Sequence, residues 1–168
     1  QIKFPNCKFD VIHAGQIIKK LERDFSEAKE KLQKADLVIF SYPVYTFIAP
    51  CQLHRFIELM KESGIDFSQK FATQISTSKH FYDVTAHKYV EDNCYDMGFK
   101  YLKGLSADMD DLTTEKGQKD ALEFFKYIIW SKENDCSEPV IPASESKTLT
   151  KATVPTETVE KADKDIVI

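Results

Sequence analysis

Two short stretches carry side chains that could do chemistry in places where an ordinary connection would not need them. Leu37 to Phe47 reads LVIFSYPVYTF, an apolar run that passes straight into Ser41, Tyr42, Pro43, Val44, Tyr45, Thr46 and Phe47. Gly, Asn or Asp makes a bare turn with less strain, so the rings and the proline invite a second explanation. The other stretch, Ser76-Thr77-Ser78-Lys79-His80-Phe81-Tyr82-Asp83, supplies hydroxyls, an ammonium, an imidazole and two aromatic rings. Together two such loops suit a flat, amphipathic ring system. Backbone groups read its polar edge while aromatic side chains cover its faces, and an isoalloxazine is a ligand of that kind. The plainer alternative is that Pro43 makes a rigid turn and the tyrosines cap the core.

His80, Asp83 and His87 raise a metal or an acid–base reading. His87 lies four residues after Asp83, so both fall on one side of a helix that starts there. A metal site needs three or four ligands, and no further carboxylate is placed to complete one. The spacing therefore predicts no metal site, and a hydrogen-bonded His80–Asp83 pair that organises the loop. His80 is also the candidate proton donor to a reduced flavin. Asp108 to Asp111, the run DMDD, reads as helix capping rather than a cation site. His13, on a strand, and His54, on a helix, read as structural. Cys51 follows Pro50 at a helix start, where a thiol pKa can fall.

The elements that must position these loops follow from periodicity. Cys7 to Gly15 (CKFDVIHAG) reads as a strand closed by glycine. Phe25 to Asp36 places Phe25, Ala28, Leu32 and Ala35 on one helical face. DLVIFSYP is a continuous apolar run, as expected of a parallel strand covered on both faces. APCQLHRFIELMKESG is a helix with Leu53, Phe56, Ile57 and Met60 inward, and Gly64 stops it. KFATQISTS is the next strand, VTAHKYVEDNCYDMG a helix ended by Gly98, and FKYLKGLSAD a strand. TEKGQKDALEFFKYIIWSKEN is a long helix with Leu122, Phe125, Ile129 and Trp130 as its inward set. The alternation β-α-β-α-β-α-β-α with short connections predicts an α/β fold: an open parallel sheet with helices on both faces, in three layers. In such sheets ligands bind beyond the carboxyl ends of the strands, which is where both loops lie.

With 168 residues the chain fits one ordinary domain with a sizeable core. A formal net charge of -4 argues against broad contact with nucleic acid, which needs a basic face. No apolar run approaches the roughly 20 residues of a membrane-spanning helix. The four cysteines are widely separated and form no metal-like or disulfide-like pattern. That spacing suits free thiols in a reducing cytoplasm. From Cys136 onward the composition turns to Ser, Thr, Pro, Glu and Lys, and the apolar period is lost. The expected organisation is a domain over 1–134, a flexible linker or tail over 135–163, and an apolar 164–168. That last segment is either a strand of this sheet or the start of a further domain.

DLVIFSYPVYTFIAPCQLHRFIEL followed by STSKHFYDVTAHKYVEDNCYDMGFKYLKGLSADMDDL resembles the flavodoxin-like NAD(P)H-dependent FMN reductase and quinone reductase superfamily. The likeness, nearest to a branch of oxidoreductases of anaerobic bacteria, runs from about Phe9 to Ile129. It implies a flavodoxin-like fold and FMN as cofactor, with NADH or NADPH as co-substrate. The implied reaction passes a hydride through FMN to a quinone, a flavin or another small-molecule acceptor. The flavin carries that chemistry, so no catalytic side chain is required of the protein. Residue by residue, the resemblance places Pro43, Val44, Tyr45, Thr46 and Phe47 along the flavin ring. It places Ser76, Thr77, Ser78 and His80 at the ring's border, and implies a homodimer. The family's first strand and its Gly-Ser-Pro phosphate loop have no counterpart here. QIKFPNCKFDVIHAG aligns with the end of the first helix and the second strand, so the domain reads as N-terminally incomplete. The alternative function is a flavodoxin-like binding module without catalytic activity.

Overall fold

The computed structural model describes residues 4–79 and 82–139. Within them the chain runs α1 (Ala14–Leu21), α2 (Ser26–Lys34), β1 (Leu37–Pro43), α3 (Cys51–Glu62) and β2 (Phe71–Ser78). There follow α4 (Val84–Asp96), β3 (Lys100–Tyr101), β4 (Leu105–Asp108), a 3-10 turn at Asp111–Thr113 and α5 (Glu115–Glu133). All strand pairs are parallel: β1 lies beside β2 from Leu37↔Phe71 to Pro43↔Thr77, and β3 and β4 both lie along the other edge of β2. This is the expected open flavodoxin-like sheet.

Side-chain alternation along β1 and β2 sorts the core into two layers. Val38, Phe40, Tyr42 and Ala72 pack with Leu21, Leu32, Phe56, Ile57, Met60 and Val90, which come from α1, α2, α3 and α4. On the opposite face Leu37, Ile39 and Phe71 pack with Phe124, Phe125 and Ile128 of α5. Fully burying each such side chain contributes about 1.5–3 kcal/mol relative to leaving it exposed.

The structure departs from the sequence expectations at three places. Cys7 to His13 forms no ladder, and Ala14 to Leu21 is a helix that begins where the strand was expected to end. Phe9 and Val11 alternate as in a strand, yet both are exposed, because an extended segment becomes a strand only through bonds to a neighbour. Second, the strand expected over FKYLKGLSAD is split. β3 pairs β2 in the register Phe71↔Lys100, and β4 resumes at Ile75↔Leu105, one residue further on. The extra residue makes a bulge around Gly104. Glycine is required there, since a Cβ would lie 2.4 Å from Gln74 Cγ and 2.7 Å from Gln74 O.

Third, α5 turns by about one position from the expected face. Ile128 is fully buried, and Trp130 is exposed rather than inward. At the start of the expected linker the Glu138 backbone N–H donates to Tyr101 O, and Lys100 pairs with Asp135 at 2.5 Å. The rest of the linker, 140–163, and the 164–168 segment lie outside the described residues. Among the described residues no helix is long and apolar enough to cross a membrane.

Candidate functional site

The carboxyl ends of β1 and β2 are joined by more than the ladder. Pro43 has no N–H to offer, and the next residue takes over: Val44 N–H donates to Thr77 O at 2.9 Å. The chain then closes a two-residue turn. Tyr45 and Ile48 exchange backbone hydrogen bonds at 3.1 and 3.2 Å as an isolated antiparallel bridge. The two central residues, Thr46 and Phe47, have φ of 49° and 72°. Positive φ at both positions is the type I′ pattern, for which Asn-Gly is the low-strain sequence. A β-branched threonine and a phenylalanine there are backbone outliers, and such strain persists where the surroundings over-determine it.

That turn holds Phe47 half out of the protein, 5.6 Å ring to ring from Tyr82. Beside this contacting pair is a cavity of about 150 Å³ lined by Val44, Thr46, Phe47, Ser78, Lys79 and Tyr82. At its inner end Ser78, 4% exposed, has a buried hydroxyl oxygen with no hydrogen-bond partner among the described residues. Leaving such a group unpaired costs roughly 1–3 kcal/mol. The lining therefore offers the unpaired Ser78 hydroxyl, the Lys79 ammonium and the Thr46 and Tyr82 hydroxyls, beside two rings and a valine. It matches the polar edge and flat face of an amphipathic ring. The volume is below the usual range for a whole small-molecule site and is room for one end of such a ligand.

Of the residues named from sequence, the structure brings Val44, Thr46, Phe47 and Ser78 together here. Pro43 sits in the ladder, and Tyr45 is exposed without lining the cavity. Thr77 contributes its carbonyl to Val44. His80, the candidate proton donor, lies outside the described residues, and the expected His80–Asp83 pair with it. Two lining residues were not singled out, Lys79 and Tyr82. Their one sequence signal was membership of the same loop.

Ser76 shares its strand face with Ser78, yet its hydroxyl is committed elsewhere. It donates to Asp83 Oδ2 at 2.7 Å, and Ser106 of β4 donates to the same oxygen. His87 Nε2 lies 2.7 Å from Ser76 Oγ and 3.4 Å from Asp83 Oδ2. With the Ser76 proton given to Asp83, His87 must donate through Nε2 to Ser76 Oγ. The expected shared side of Asp83 and His87 is therefore present. The arrangement is not that of a nucleophile and base, because Asp83 meets the same imidazole nitrogen as the serine. What it does is pin the end of the β2–α4 loop to β2, β4 and α4. One position deeper, Gln74 bridges two buried tyrosines: Tyr42 donates to Gln74 Oε1 at 2.5 Å, and Gln74 Nε2 donates to the Tyr101 hydroxyl. Among the described residues no group of three or more His, Cys, Asp or Glu is placed to share a metal ion. The Asp108–Asp111 run folds its own turn, with Asp108 N–H donating to Asp111 Oδ2 at 2.9 Å.

Burial holds His87 below the usual imidazole range, against the opposing pull of Asp83 and Glu91. The unfolded chain, titrating near 6.5, therefore takes up the proton first as pH falls. Stability from this group is fully present above about pH 6.5 and is lost below it. Urea midpoints between pH 7.5 and 5.5 are expected to fall more steeply for the native sequence than for His87→Gln. Parallel profiles would show that another group sets the slope.

Three comparisons bear on these observations. The family description "NADPH-dependent FMN reductase" matches residues 3–101. A comparison with curated proteins finds no match. Among solved structures, an NADH:FMN oxidoreductase (EMOB) in its apo form is 18% identical with a TM-score of 0.53, over 78% of this chain and 70% of that one. The Trp repressor binding protein of Bacillus subtilis is 18% identical with a TM-score of 0.46, over 51% and 63%. A putative quinone reductase of Klebsiella pneumoniae is 19% identical with a TM-score of 0.48, over 70% and 56%. The chain thus spans less than two thirds of the last two. At these identities the EMOB likeness is one of fold.

Proposed function

Since the chain belongs to the NADPH-dependent FMN reductase family, we propose that it holds FMN at the carboxyl ends of β1 and β2 and acts as an oxidoreductase. NADH or NADPH is the electron donor, and a small molecule such as a quinone or a free flavin is the acceptor. When bound, the isoalloxazine supplies the hydride chemistry. The protein's own residues bind and orient it. In this reading the contacting Phe47–Tyr82 pair packs against one side of the ring, Val44 and Thr46 border it, and the unpaired Ser78 hydroxyl hydrogen-bonds its polar edge.

The observation that carries the reading is the unpartnered Ser78 oxygen, buried in a cavity walled by aromatic residues. Buried polar groups are ordinarily paired and strained turns cluster at functional sites, and here an unpaired hydroxyl and a strained turn adjoin one cavity.

Titration of the chain with FMN, followed by flavin fluorescence, tests it. Saturable quenching, then bleaching of the bound flavin's visible absorbance by NADPH or NADH, is the expected result. Saturable binding without bleaching by either nucleotide would favour the non-catalytic binding module. Absence of saturable quenching would remove the flavin from this site.

A further inference from the structure

Lys79 stands at the mouth of this cavity, and the binding contacts proposed above leave its charge unused. It lines the space beside Ser78 and is exposed. Among the described residues its ammonium makes no ion pair, whereas Lys31, Lys34, Lys61, Lys88, Lys100 and Lys132 each have an acidic partner. None of the six lining residues is acidic. The nearby carboxylate of the same loop, Asp83, is buried and holds the Ser76 and Ser106 hydroxyls. Among the described residues the lining of the cavity thus carries one positive charge and no negative one, beside an aromatic wall. A low-dielectric wall strengthens a charge's effect on what binds next to it.

An uncompensated cation discriminates between ligands that differ in charge at the ring. Oxidised isoalloxazine is neutral. Adding two electrons and one proton leaves it with one negative charge, spread over the pyrimidine edge. We infer that Lys79 binds the reduced, anionic ring more tightly than the oxidised one, and so raises the reduction potential of the bound flavin. The inference rests on the flavin reading above. Lys79 is in this view a tuning residue. It neither gives nor takes a proton, and it acts through the field it places on the ring.

The other use for a lysine at a flavin nucleotide is to hold the phosphate, and the two uses separate experimentally. Dissociation constants for oxidised and dithionite-reduced FMN, and for oxidised and reduced riboflavin, are measured on the full chain and on Lys79→Gln and Lys79→Arg. Potentials are read against a redox dye. For Lys79→Gln the preference for the reduced flavin is expected to drop about fivefold, near the upper limit for a solvent-accessible charge pair. At about 29.6 mV per tenfold for a two-electron couple, that lowers the potential by about 20 mV. Riboflavin should show the same loss as FMN, and Lys79→Arg should restore the native preference. An equal loss for oxidised and reduced FMN with none for riboflavin would assign Lys79 to the phosphate and overturn the inference. An unchanged ratio in Lys79→Gln would overturn it too, leaving the flavin reading intact. Failure of the unaltered chain to bind either flavin would defeat both.

Discussion

Replacing Thr46-Phe47 by Asn-Gly is expected to make the protein more stable and a poorer flavin binder at once. Both native residues sit at positive φ inside a two-residue turn closed by the Tyr45–Ile48 bridge. Each such outlier costs of order 1–3 kcal/mol, and Asn-Gly occupies the same conformation with little strain. Glycine also loses more conformational entropy on folding, by roughly 0.5–1 kcal/mol, so the net gain should be about 2 kcal/mol. The same change removes the Phe47 ring, one of the two rings that line the cavity. An aromatic face is worth about 1 kcal/mol beyond its buried area, and the lost area adds to that. FMN affinity should therefore fall by roughly tenfold or more, since each 1.4 kcal/mol is a factor of ten. Urea unfolding and FMN titration on the same preparation read the two effects. A variant that lost stability would show that the turn is not strained. One that gained stability with FMN affinity unchanged would take Phe47 out of the site.

Asp83→Ala should be the most damaging single substitution near the site. Its Oδ2 accepts hydroxyls from Ser76 and Ser106 and faces His87, and the side chain is 5% exposed. Hydrogen bonds to a charged group contribute roughly 1.5–3 kcal/mol each, and buried groups left unpaired add a desolvation cost. The losses are not additive within one network, so a fall of about 3 kcal/mol is expected. Asp83→Asn keeps an acceptor of the same shape and should lose about half as much. Because Asp83 ends the loop that carries Ser78, Lys79 and Tyr82, flavin affinity should fall with stability in the alanine variant. Urea midpoints within about 1 kcal/mol of the native protein for Asp83→Ala would show that this network does not anchor the loop.

The pattern of the elements was legible before any coordinates. The continuous apolar run at Leu37–Phe40, followed by a helix with an apolar stripe and then the strand KFATQISTS, points to parallel strands with a crossover between them. The positions of both loops followed, because a parallel sheet puts the ends of successive strands on one edge. The misreadings have one kind of cause. Cys7–His13 has strand-like residues, but ladder bonds come from a neighbour. The bulge at Gly104 arises because Gln74, thirty positions earlier, fills the space a side chain would need. Trp130 was assigned inward by period alone, while the residues of α5 that meet Phe71 and Leu102 decide the buried face.

The same division runs through the site. By itself the sequence determined an α/β sheet, the two loops at its carboxyl edge, and the residue types able to meet a flat ring. Tertiary structure alone decided which hydroxyl was left for a ligand. Ser76 and Ser78 are two residues apart on one face of β2, and nothing in their immediate sequence distinguishes them. α4 and β4 bring Asp83, His87 and Ser106 against Ser76, while Ser78 lines the cavity beside Phe47 and Tyr82. A hydrogen bond needs its partner within about 3 Å. Which residues from distant parts of the chain come that close is decided by how the layers pack.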